Sequence, residues 1–336
     1  MIMNPLRQFL LIVLLGLCAN YLYAAEDGVQ RWSEPYQKGN LTIFIAYGDD
    51  NINAQHILTL DEALDKGKIK VNETGTVNNL AAENLSKTQD VFIQSGDIVK
   101  GGKQDRVLSV DLVLPPQSGK VNISSFCVES GRWQKRGKED NRSFNSARKR
   151  VVSKELKLAA KLKKDQSEVW QKVEEAQRQL SEKLGTPVKN SLSQSSLQLS
   201  LENRELKNNL TSYKSEYSDI VNKSGNAIGY AYAINGEING ADVYGASDLF
   251  KKMWPRLLDA TVTEALSKQD TRKQLKQVSE DDLRQWLKQT QSEKSSEEKI
   301  SNNTILHTYE NTEQAKFETK DKRYGDKTVH RNILSK

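Results

Sequence analysis

The chain has 336 residues, of which 36% are hydrophobic and 28% are charged, and its mean hydropathy is −0.69. These values indicate a soluble protein with one large domain or two small ones, and they exclude a chain built mainly from membrane-spanning segments. The net charge of +6 is concentrated between residues 132 and 164, where thirteen Lys or Arg accompany three acids. This basic run has only Trp133 and Phe144 as aromatic residues, so it does not indicate nucleic-acid binding, and we interpret it as a solvated helix face.

Residues 1–24 have the pattern of a secretory signal peptide. Arg7 precedes the apolar run "FLLIVLLGL", which is too short to span a bilayer, and Ala24 is the expected cleavage site. Lipidation of Cys18 is an alternative, although the residue before it is larger than a lipoprotein signal requires. We therefore expect a periplasmic or secreted protein with no membrane segment after cleavage.

Cys127 is the only cysteine that remains after this cleavage, so no intramolecular disulfide is expected. Its position in a β pattern is typical of a small buried apolar residue, with a catalytic thiol as the alternative. The three histidines, His56, His307 and His330, are scattered along the chain. They do not favour a metal site or a Ser-His-Asp triad, and we expect no metal and no cofactor.

Residues 32–129 have a mostly β pattern with one short helix. "LTIFIAY" is the first clear strand, and "KIKVNET", "NLAAENL" and "DVFIQ" are further strands. Between them, "TLDEALDKG" has Thr59 at the N-cap, Glu62 three residues later and Gly67 after the end. This spacing predicts a capping box and a glycine-terminated helix.

From about residue 146 to 221 the period becomes helical, which predicts an insertion in the β-rich body. One apolar stripe has spacings of three and four, and we interpret it as a packing face; its members are Trp170, Val173, Ala176, Leu180 and Leu184. Gly185 ends this helix. The serine-rich segment that follows is expected to be a linker, and another helix runs to about Tyr217.

The β pattern then returns with Asn235-Gly236 between two apolar runs, a strong hairpin signal. A helix follows from Ser247, and Pro255 is expected to kink or restart it. The segment "QSEKSSEEK" is expected to be a loop, and "TILHTYE", "AKFETK" and "TVHRNIL" predict a terminal β meander. The expected fold is α+β: a sandwich- or barrel-like antiparallel body over residues 30–278, with residues 279–336 packed on it.

The first hairpin carries the main site prediction. If Leu114 pairs with Val121 across "PPQSGK", then Leu108 faces Cys127 and Arg106 faces Glu129 on one side of the sheet. Burial of a guanidinium after several apolar residue pairs costs free energy unless a carboxylate accepts hydrogen bonds from it. This pair either closes the rim of the core or orients a ligand.

The second hairpin adds an acid. With a two-residue turn at Asn235-Gly236, Ala233 faces Ile238 and Gly229 faces Asp242, on a face of mostly small residues. This face either packs tightly against the following helix or forms the floor of a ligand site.

Several polar residues should therefore gather at the end of the first hairpin. Because three of the first five are basic, we expect an anionic ligand that carries phosphate or carboxylate. The candidate ligand-binding residues are Lys103, Gln104, Arg106, Glu129, Arg132, Trp133 and Asp242.

These hairpins also carry a family resemblance. "GDIVKGGKQDRVLSVDLVLPPQSGKVNISSFCVESGRW" and "AIGYAYAINGEINGADVYGASDLFKKMWPRLL" resemble the family called the ARG and rhodanese-phosphatase-superfamily-associated protein domain, where ARG stands for ADP-ribosylglycohydrolase. The resemblance runs from about Gly39 to about Leu266. It implies a role beside nucleotide or ADP-ribose chemistry. The family's polar motif falls on Lys103, Gln104, Arg106, Glu129, Gly131, Arg132, Trp133 and Asp242.

Three functions remain open from the sequence. The first is binding of an anionic, nucleotide-like ligand. The second is a structural or interaction role for the helical insertion, with unknown protein partners. The third is hydrolysis of ADP-ribose-type substrates, with Asp242 or Glu129 as the acid or base and with Arg106 and Arg132 stabilising negative charge. A Glu129 held ionised by an arginine would be a poor acid, which favours Asp242.

Overall fold

The structure is a computed structural model that describes residues 28–223, 225–270, 275–289 and 294–336. The side chains of residues 148–151 and 294 are not described. The predicted signal peptide, residues 1–24 with Cys18, lies outside the described residues. Within the described residues the fold is α+β with antiparallel sheets and a terminal β meander, as predicted.

The structure has β-strands along most of the chain. In chain order they are β1 (Val29–Trp32), β2 (Tyr36–Lys38), β3 (Leu41–Gly48), β4 (Ile57–Thr59), β5 (Ile69–Glu73), β6 (Asn79–Asn84), β7 (Asp90–Ile93), β8 (Asp97–Gly101), β9 (Arg106–Leu108), β10 (Leu112–Leu114), β11 (Lys120–Cys127), β12 (Phe144–Val151), β13 (Ala227–Ile234), β14 (Glu237–Tyr244), β15 (Lys294–Lys299), β16 (Thr304–Glu310), β17 (Gln314–Asp321) and β18 (Lys327–Ser335).

Most helices lie between β12 and β13 or follow β14. They are α1 (Leu60–Asp65), α2 (Lys154–Lys157), a π-helical segment (Leu158–Lys163), α3 (Gln166–Leu184), α4 (Leu197–Leu201), α5 (Arg204–Tyr217), a 3-10 turn (Ile220–Asn222), α6 (Ser247–Ser267), α7 (Glu280–Lys288) and a 3-10 turn (Lys322–Tyr324). The capping box between Thr59 and Glu62 forms as predicted. Pro255 lies inside the continuous helix α6, which it does not interrupt.

The largest sheet joins the terminal meander to the central hairpin. Its order is β1-β3-β13-β14-β18-β17-β16-β15, with β2 paired to β3. The three predicted terminal strands are β16, β17 and β18. Part of the predicted loop "QSEKSSEEK" is strand β15 instead. This strand lies at the edge of the sheet and its described side chains are exposed, which accounts for its polar sequence.

A six-stranded sheet forms the part of the fold that holds most of the candidate residues. Its order is β12-β8-β9-β11-β6-β5. The two edge strands approach each other, because Asn72 bridges to Ser143 and the Glu73 N–H donates to the Arg142 carbonyl at 2.9 Å. The sheet is therefore nearly closed into a small barrel. A separate three-stranded sheet, β10-β7-β4, shares an apolar core with one face of the barrel strands.

The helical insertion contributes to the main core. Val173 and Leu180 of α3 are buried beside residues of α5 and α6, which supports the packing interpretation for this part of the apolar stripe. Trp170 of the predicted stripe is exposed. The helices begin at Lys154 rather than near residue 146, because β12 continues to Val151. The serine-rich linker contains the short helix α4.

The basic run is not simply a solvated helix face, so that interpretation is wrong. Lys157 and Lys161 are buried, with relative exposures of 6% and 3%. Each approaches a buried carboxylate, Asp242 and Asp111 respectively. Buried lysines need such partners because an isolated charge in an apolar interior is very costly.

Candidate functional site

Arg106 lies inward as predicted, but its partner is not Glu129. In the pairing of β9 with β11, Arg106 stands opposite Cys127 and Leu108 opposite Ser125. The predicted register is therefore wrong by two residues. A two-residue slip leaves every side chain on the same face, so the alternation pattern alone could not distinguish the two registers.

The slip occurs because the predicted strand 106–114 is two strands in two sheets. β9 ends at Leu108, and β10 begins at Leu112 and pairs with β7 instead of β11. Between them, Asp111 accepts hydrogen bonds from Ser95 N–H at 2.6 Å and from Lys161 Nζ at 2.9 Å. This buried carboxylate anchors the point at which the chain changes sheets.

The buried guanidinium of Arg106 has few partners. Its Nη2 is 3.5 Å from Glu73 Oε2, and its Nη1 contacts the Cys127 sulfur. Its Nε has no hydrogen-bond partner among the described residues, although the residue is only 1% exposed. A charge-assisted hydrogen bond is normally 2.7–2.9 Å long, so this cation is poorly compensated.

Two further residues, one close to Arg106 in the chain and one on the paired strand, share this property. Gln104 is 0% exposed, and neither amide atom has a partner among the described residues. On β11, Ser125 lies two residues before Cys127, the residue opposite Arg106, and so points to the same face of the sheet. The hydroxyl of Ser125 also lacks a partner among the described residues. Unpaired buried polar groups are rare, and each requires a water, an ion or a ligand to explain it. We call Glu73, Gln104, Arg106, Ser125 and Cys127 the barrel end.

Glu129 belongs to a second group, of ion-paired residues, beside the barrel end. Arg132 Nε donates to Glu129 Oε1 at 2.8 Å, and its Nη2 lies 2.8 Å from Oε2. Burial raises the pKa of Glu129, but the hydrogen bonds from Arg132 and other donors outweigh it, so the pKa lies below its usual range. The expected ionised Glu129 is thus found, with Arg132 as its partner instead of Arg106.

Arg136 completes this group and was missed in the sequence because it appeared to be one more residue of the basic run. Its two terminal nitrogens hold both oxygens of Asp105 at 2.9 and 3.0 Å. Ser196, the N-cap residue of α4, also donates to Asp105 at 2.8 Å. Asp105 in turn donates its N–H to Glu129 at 3.0 Å. The arrangement ties the barrel to the helical insertion.

The charges of these two groups balance when the adjoining Lys103 and Glu139 are counted with them. Four cations (Lys103, Arg106, Arg132 and Arg136) accompany four carboxylates (Glu73, Asp105, Glu129 and Glu139). The sequence count of three bases in five residues therefore overstated the positive charge. Lys103 is half-buried, and its backbone N–H donates to Glu73 at 2.9 Å. Trp133 is 54% exposed at the surface.

Asp242 is not part of the barrel end. The hairpin begins in the predicted register, with Ile234 opposite Glu237, but a bulge between Tyr232 and Ala233 then places Asp242 opposite Tyr230. One extra residue moves a side chain to the other face of a strand. The predicted pairing of Gly229 with Asp242 is therefore wrong.

The small-residue face of this hairpin is covered by protein. Ala231, Ala233 and Ala241 pack with Leu283 and Trp286 of α7. Helix packing was one of the two predicted alternatives, but the helix involved is α7, not the helix that begins at Ser247.

Asp242 instead belongs to a buried network around His330. The two ring nitrogens of His330 lie 3.0 Å from Asp111 Oδ2 and 3.0 Å from Asp242 Oδ1. Since both partners are carboxylates, the imidazole donates from both nitrogens only when it is protonated. Burial lowers the pKa of His330, but the two carboxylates outweigh it and raise the pKa above its usual value.

The neighbouring lysines keep both carboxylates ionised. Burial raises the pKa of Asp242, but the charge of Lys157 and the hydrogen bond from His330 bring it below the usual range. Lys161 and His330 likewise hold the pKa of Asp111 well below its usual range against the effect of burial. Asp242 therefore lacks the raised pKa that a general acid requires.

The family follows from comparison of the whole chain with known families. Residues 30–334 match the family described as the ARG and Rhodanese-Phosphatase-superfamily-associated Protein domain. The chain belongs to this family. The match confirms the resemblance read from the hairpins, and it includes the strands of the terminal meander. Comparison with curated proteins and with solved structures gave no match.

The ARG and Rhodanese-Phosphatase-superfamily-associated Protein domain of this chain has unsatisfied hydrogen-bonding groups at the barrel end. A partly enclosed cavity of about 90 Å³ lies elsewhere, beside Leu156, Leu180 and Glu264 of the helical layer. Among the described residues, no group of three or more His, Cys, Asp and Glu side chains is placed to hold a metal ion. No helix in the described ranges is long and apolar enough to cross a membrane.

Sequence signals existed for some of the residues that were missed. Asp111 stands between the apolar residues Val110 and Leu112, and an acid in such a run is a candidate for a buried pair. Asp105 lies between two selected residues and could have been included with them. His330 and Glu73 carry no local signal, because their partners lie far away in the chain.

Proposed function

We propose that this domain binds a small ligand with a phosphate or carboxylate group, of the nucleotide-like type, at the barrel end. The observation that carries the proposal is the pair Gln104 and Arg106, which are buried yet retain unfilled hydrogen-bonding capacity. The Gln104 amide offers two donors and an acceptor, and Arg106 Nε offers a further donor. A ligand that supplied acceptors to these groups would recover the cost of their burial.

The choice of an anionic group rests on Arg106. Its ion pair with Glu73 is long at 3.5 Å, so a phosphate or carboxylate oxygen at hydrogen-bonding distance would form a stronger contact. Lys103 adds a second cation close in sequence. The balanced charge of the surrounding groups means that Arg106 itself, and not a broad positive field, would select the ligand.

The hydrolase alternative has less support from the geometry. Glu129 and Asp242 both have lowered pKa values because of basic partners, so neither is suited to donate a proton near neutral pH. Cys127 is buried, and burial raises the pKa of its thiol against the opposing effect of Arg106. A protonated thiol is a weak nucleophile.

Within the described residues, no specific contact of the helical insertion favours the alternative of a structural or interaction role. The insertion supplies residues to the main core, including Val173, Leu180 and Leu206. Most of its apolar surface is thus used within the domain, which is the usual role of an amphipathic helix face, although Trp170 and Leu192 are exposed.

Isothermal titration of the full chain with ADP-ribose, NAD and inorganic phosphate tests the binding proposal. We expect heat with at least one of them and none in Gln104→Met, which keeps the length of the side chain but removes its polar atoms. Gln177→Met is the matched control, since Gln177 is also buried but lies in α3. Absence of heat with all three compounds, or equal binding by Gln104→Met, would overturn the proposal.

We also propose that the protein is exported, on the strength of the N-terminal pattern. Fractionation of expressing cells and N-terminal sequencing should place the mature chain outside the cytoplasm with Ala25 as its first residue. An uncleaved cytoplasmic chain would overturn this proposal, and a chain that begins with a lipidated Cys18 would support the lipoprotein alternative.

A further inference from the structure

The two residues that carry the binding proposal are closed to solvent. Gln104 is 0% exposed and Arg106 is 1% exposed, so a ligand cannot reach them unless part of the protein moves. This inference concerns the access route to that site and therefore rests on the proposed function.

The segment that adjoins the site on both sides is residues 130–143, which connect β11 to β12. Arg132 donates to the carbonyls of Gly102 at 3.0 Å and Gly101 at 3.1 Å, just before Gln104 in the chain. Arg136 binds both oxygens of Asp105, just after Gln104. The short connection that carries Gln104 is thus held by one arginine on each side.

This segment is attached by polar contacts instead of apolar burial. Arg136 is the only buried residue within 130–143, and Trp133 is largely exposed. An element with little buried apolar surface can separate locally without unfolding the core, because little hydrophobic stabilisation is lost. The ion pairs of Arg132 and Arg136 therefore hold the middle of the segment, whereas hydrogen bonds at residues 130, 142 and 143 hold its two ends.

Arg132 also acts on the chain beside the site through Glu129. The carboxylate of Glu129 accepts from Arg132 and from the Asp105 N–H, the latter at 3.0 Å. Asp105 lies between Gln104 and Arg106 in the chain. Loss of the Arg132 contacts would free the Gly101 and Gly102 carbonyls and weaken the hold of Glu129 on Asp105.

We infer that residues 130–143 are a cover over the barrel end, and that release of Arg132 from Glu129 and the two glycine carbonyls admits the ligand. The outward position of Arg132, whose side chain is 9% exposed against 4% for Arg136, makes it the first of the two anchors that solvent or a ligand meets. Closure then isolates Gln104 and Arg106 from water. Their hydrogen bonds to an anion are stronger in this low-dielectric environment than in water.

Cys127 provides a reporter that needs no ligand. It is 0% exposed and its sulfur contacts Arg106, so its thiol reacts with a small alkylating agent only when the barrel end opens. In a Cys18→Ser background, Cys127 is the only thiol. We expect Arg132→Gln to raise the alkylation rate of Cys127 by about tenfold or more, because an arginine that makes several hydrogen bonds is removed.

Arg178→Gln is the matched control, since Arg178 forms an exposed pair with Glu182 on α3. It should leave the alkylation rate unchanged. Urea unfolding of each variant gives the fraction of globally unfolded protein and so separates local opening from global unfolding. If the cover opens locally, Cys127 is alkylated faster than this unfolded fraction alone would permit. If Arg132→Gln does not fold, Arg132→Lys, which keeps the charge but loses the planar fork, replaces it and should show a smaller increase.

The outcomes separate this inference from the binding proposal. Alkylation of Cys127 at the wild-type rate in a folded Arg132 variant overturns the cover, even if ADP-ribose binds. Faster alkylation in the Arg132 variant supports the cover even if no compound gives heat, in which case the binding proposal fails alone. Protection of Cys127 by ADP-ribose or phosphate would support both.

Discussion

Replacement of Gln104 by methionine should make the protein more stable in the absence of ligand. Both amide atoms of Gln104 are buried without a partner among the described residues. An unpaired buried polar group costs about 1–3 kcal/mol, and methionine has a similar length without polar atoms. We therefore expect the free energy of unfolding to rise by about 1 kcal/mol or more.

The matched control, Gln177→Met, should change the free energy of unfolding in the opposite direction. Gln177 is also buried, but its Nε2 donates to Ser200 Oγ at 2.8 Å and to the carbonyl of Gln194 at 3.0 Å. Gln177→Met leaves those acceptors short of a donor, so the free energy of unfolding should fall by about 1–3 kcal/mol. The two variants make the same chemical change and differ only in the hydrogen bonds that are lost.

Urea unfolding followed by tryptophan fluorescence measures both changes. The midpoint should rise for Gln104→Met with an unchanged dependence on urea, which shows that stability and not the compactness of the unfolded chain has changed. An unchanged or lower free energy of unfolding for Gln104→Met would refute the reasoning. It would mean that Gln104 is hydrogen-bonded in the protein, for example to buried water, and that it is a structural residue.

Three further outcomes are expected. His330 has a raised pKa and contacts Asp111, Asp242 and Tyr244, and the two carboxylates are in turn paired with Lys161 and Lys157. The stabilisation by His330 is complete below its unfolded pKa of about 6.5 and is lost as the pH rises through the higher folded pKa, so wild-type stability should fall there by up to about 1.4 kcal/mol per pH unit, and His330→Gln should lack this slope. The Glu129→Gln variant should lose about 3 kcal/mol in urea unfolding at pH 7, because the buried Arg136 and the partly buried Arg132 both lose part of their compensation. A loss below about 1 kcal/mol would contradict the paired geometry. Leu180→Ala should lower the free energy of unfolding by about 2–5 kcal/mol if α3 belongs to the core. Leu192 is 70% exposed, so Leu192→Ala should change it by less than about 0.5 kcal/mol, and equal effects of the two variants would contradict the core role of α3.

Local signals explain most of what could be predicted about the fold. The capping box between Thr59 and Glu62 and the turn at Asn235-Gly236 both form where expected. Each depends on residues a few positions apart, whose geometry is fixed by short-range hydrogen bonds and backbone preferences. The α+β class and the terminal meander follow from the same kind of signal, repeated along the chain.

The candidate site was predicted less well because it depends on register. Arg106 was placed correctly on an inward face, but Glu73 on β5 is its ion-pair partner. A strand change at Asp111 and a bulge at Tyr232 each shifted the pairing. Neither event alters the apolar alternation enough to be detected from a single sequence.

The amino-acid sequence by itself determined where most of the strands and helices form, and that a buried arginine begins β9. Only the tertiary structure decided its surroundings, and it alone joined His330 to Asp111 across 219 positions of chain. Contacts over such separations depend on how whole sheets and helices pack together. Hydrophobic periodicity records which face of an element is buried, but it does not record which distant side chain lies opposite.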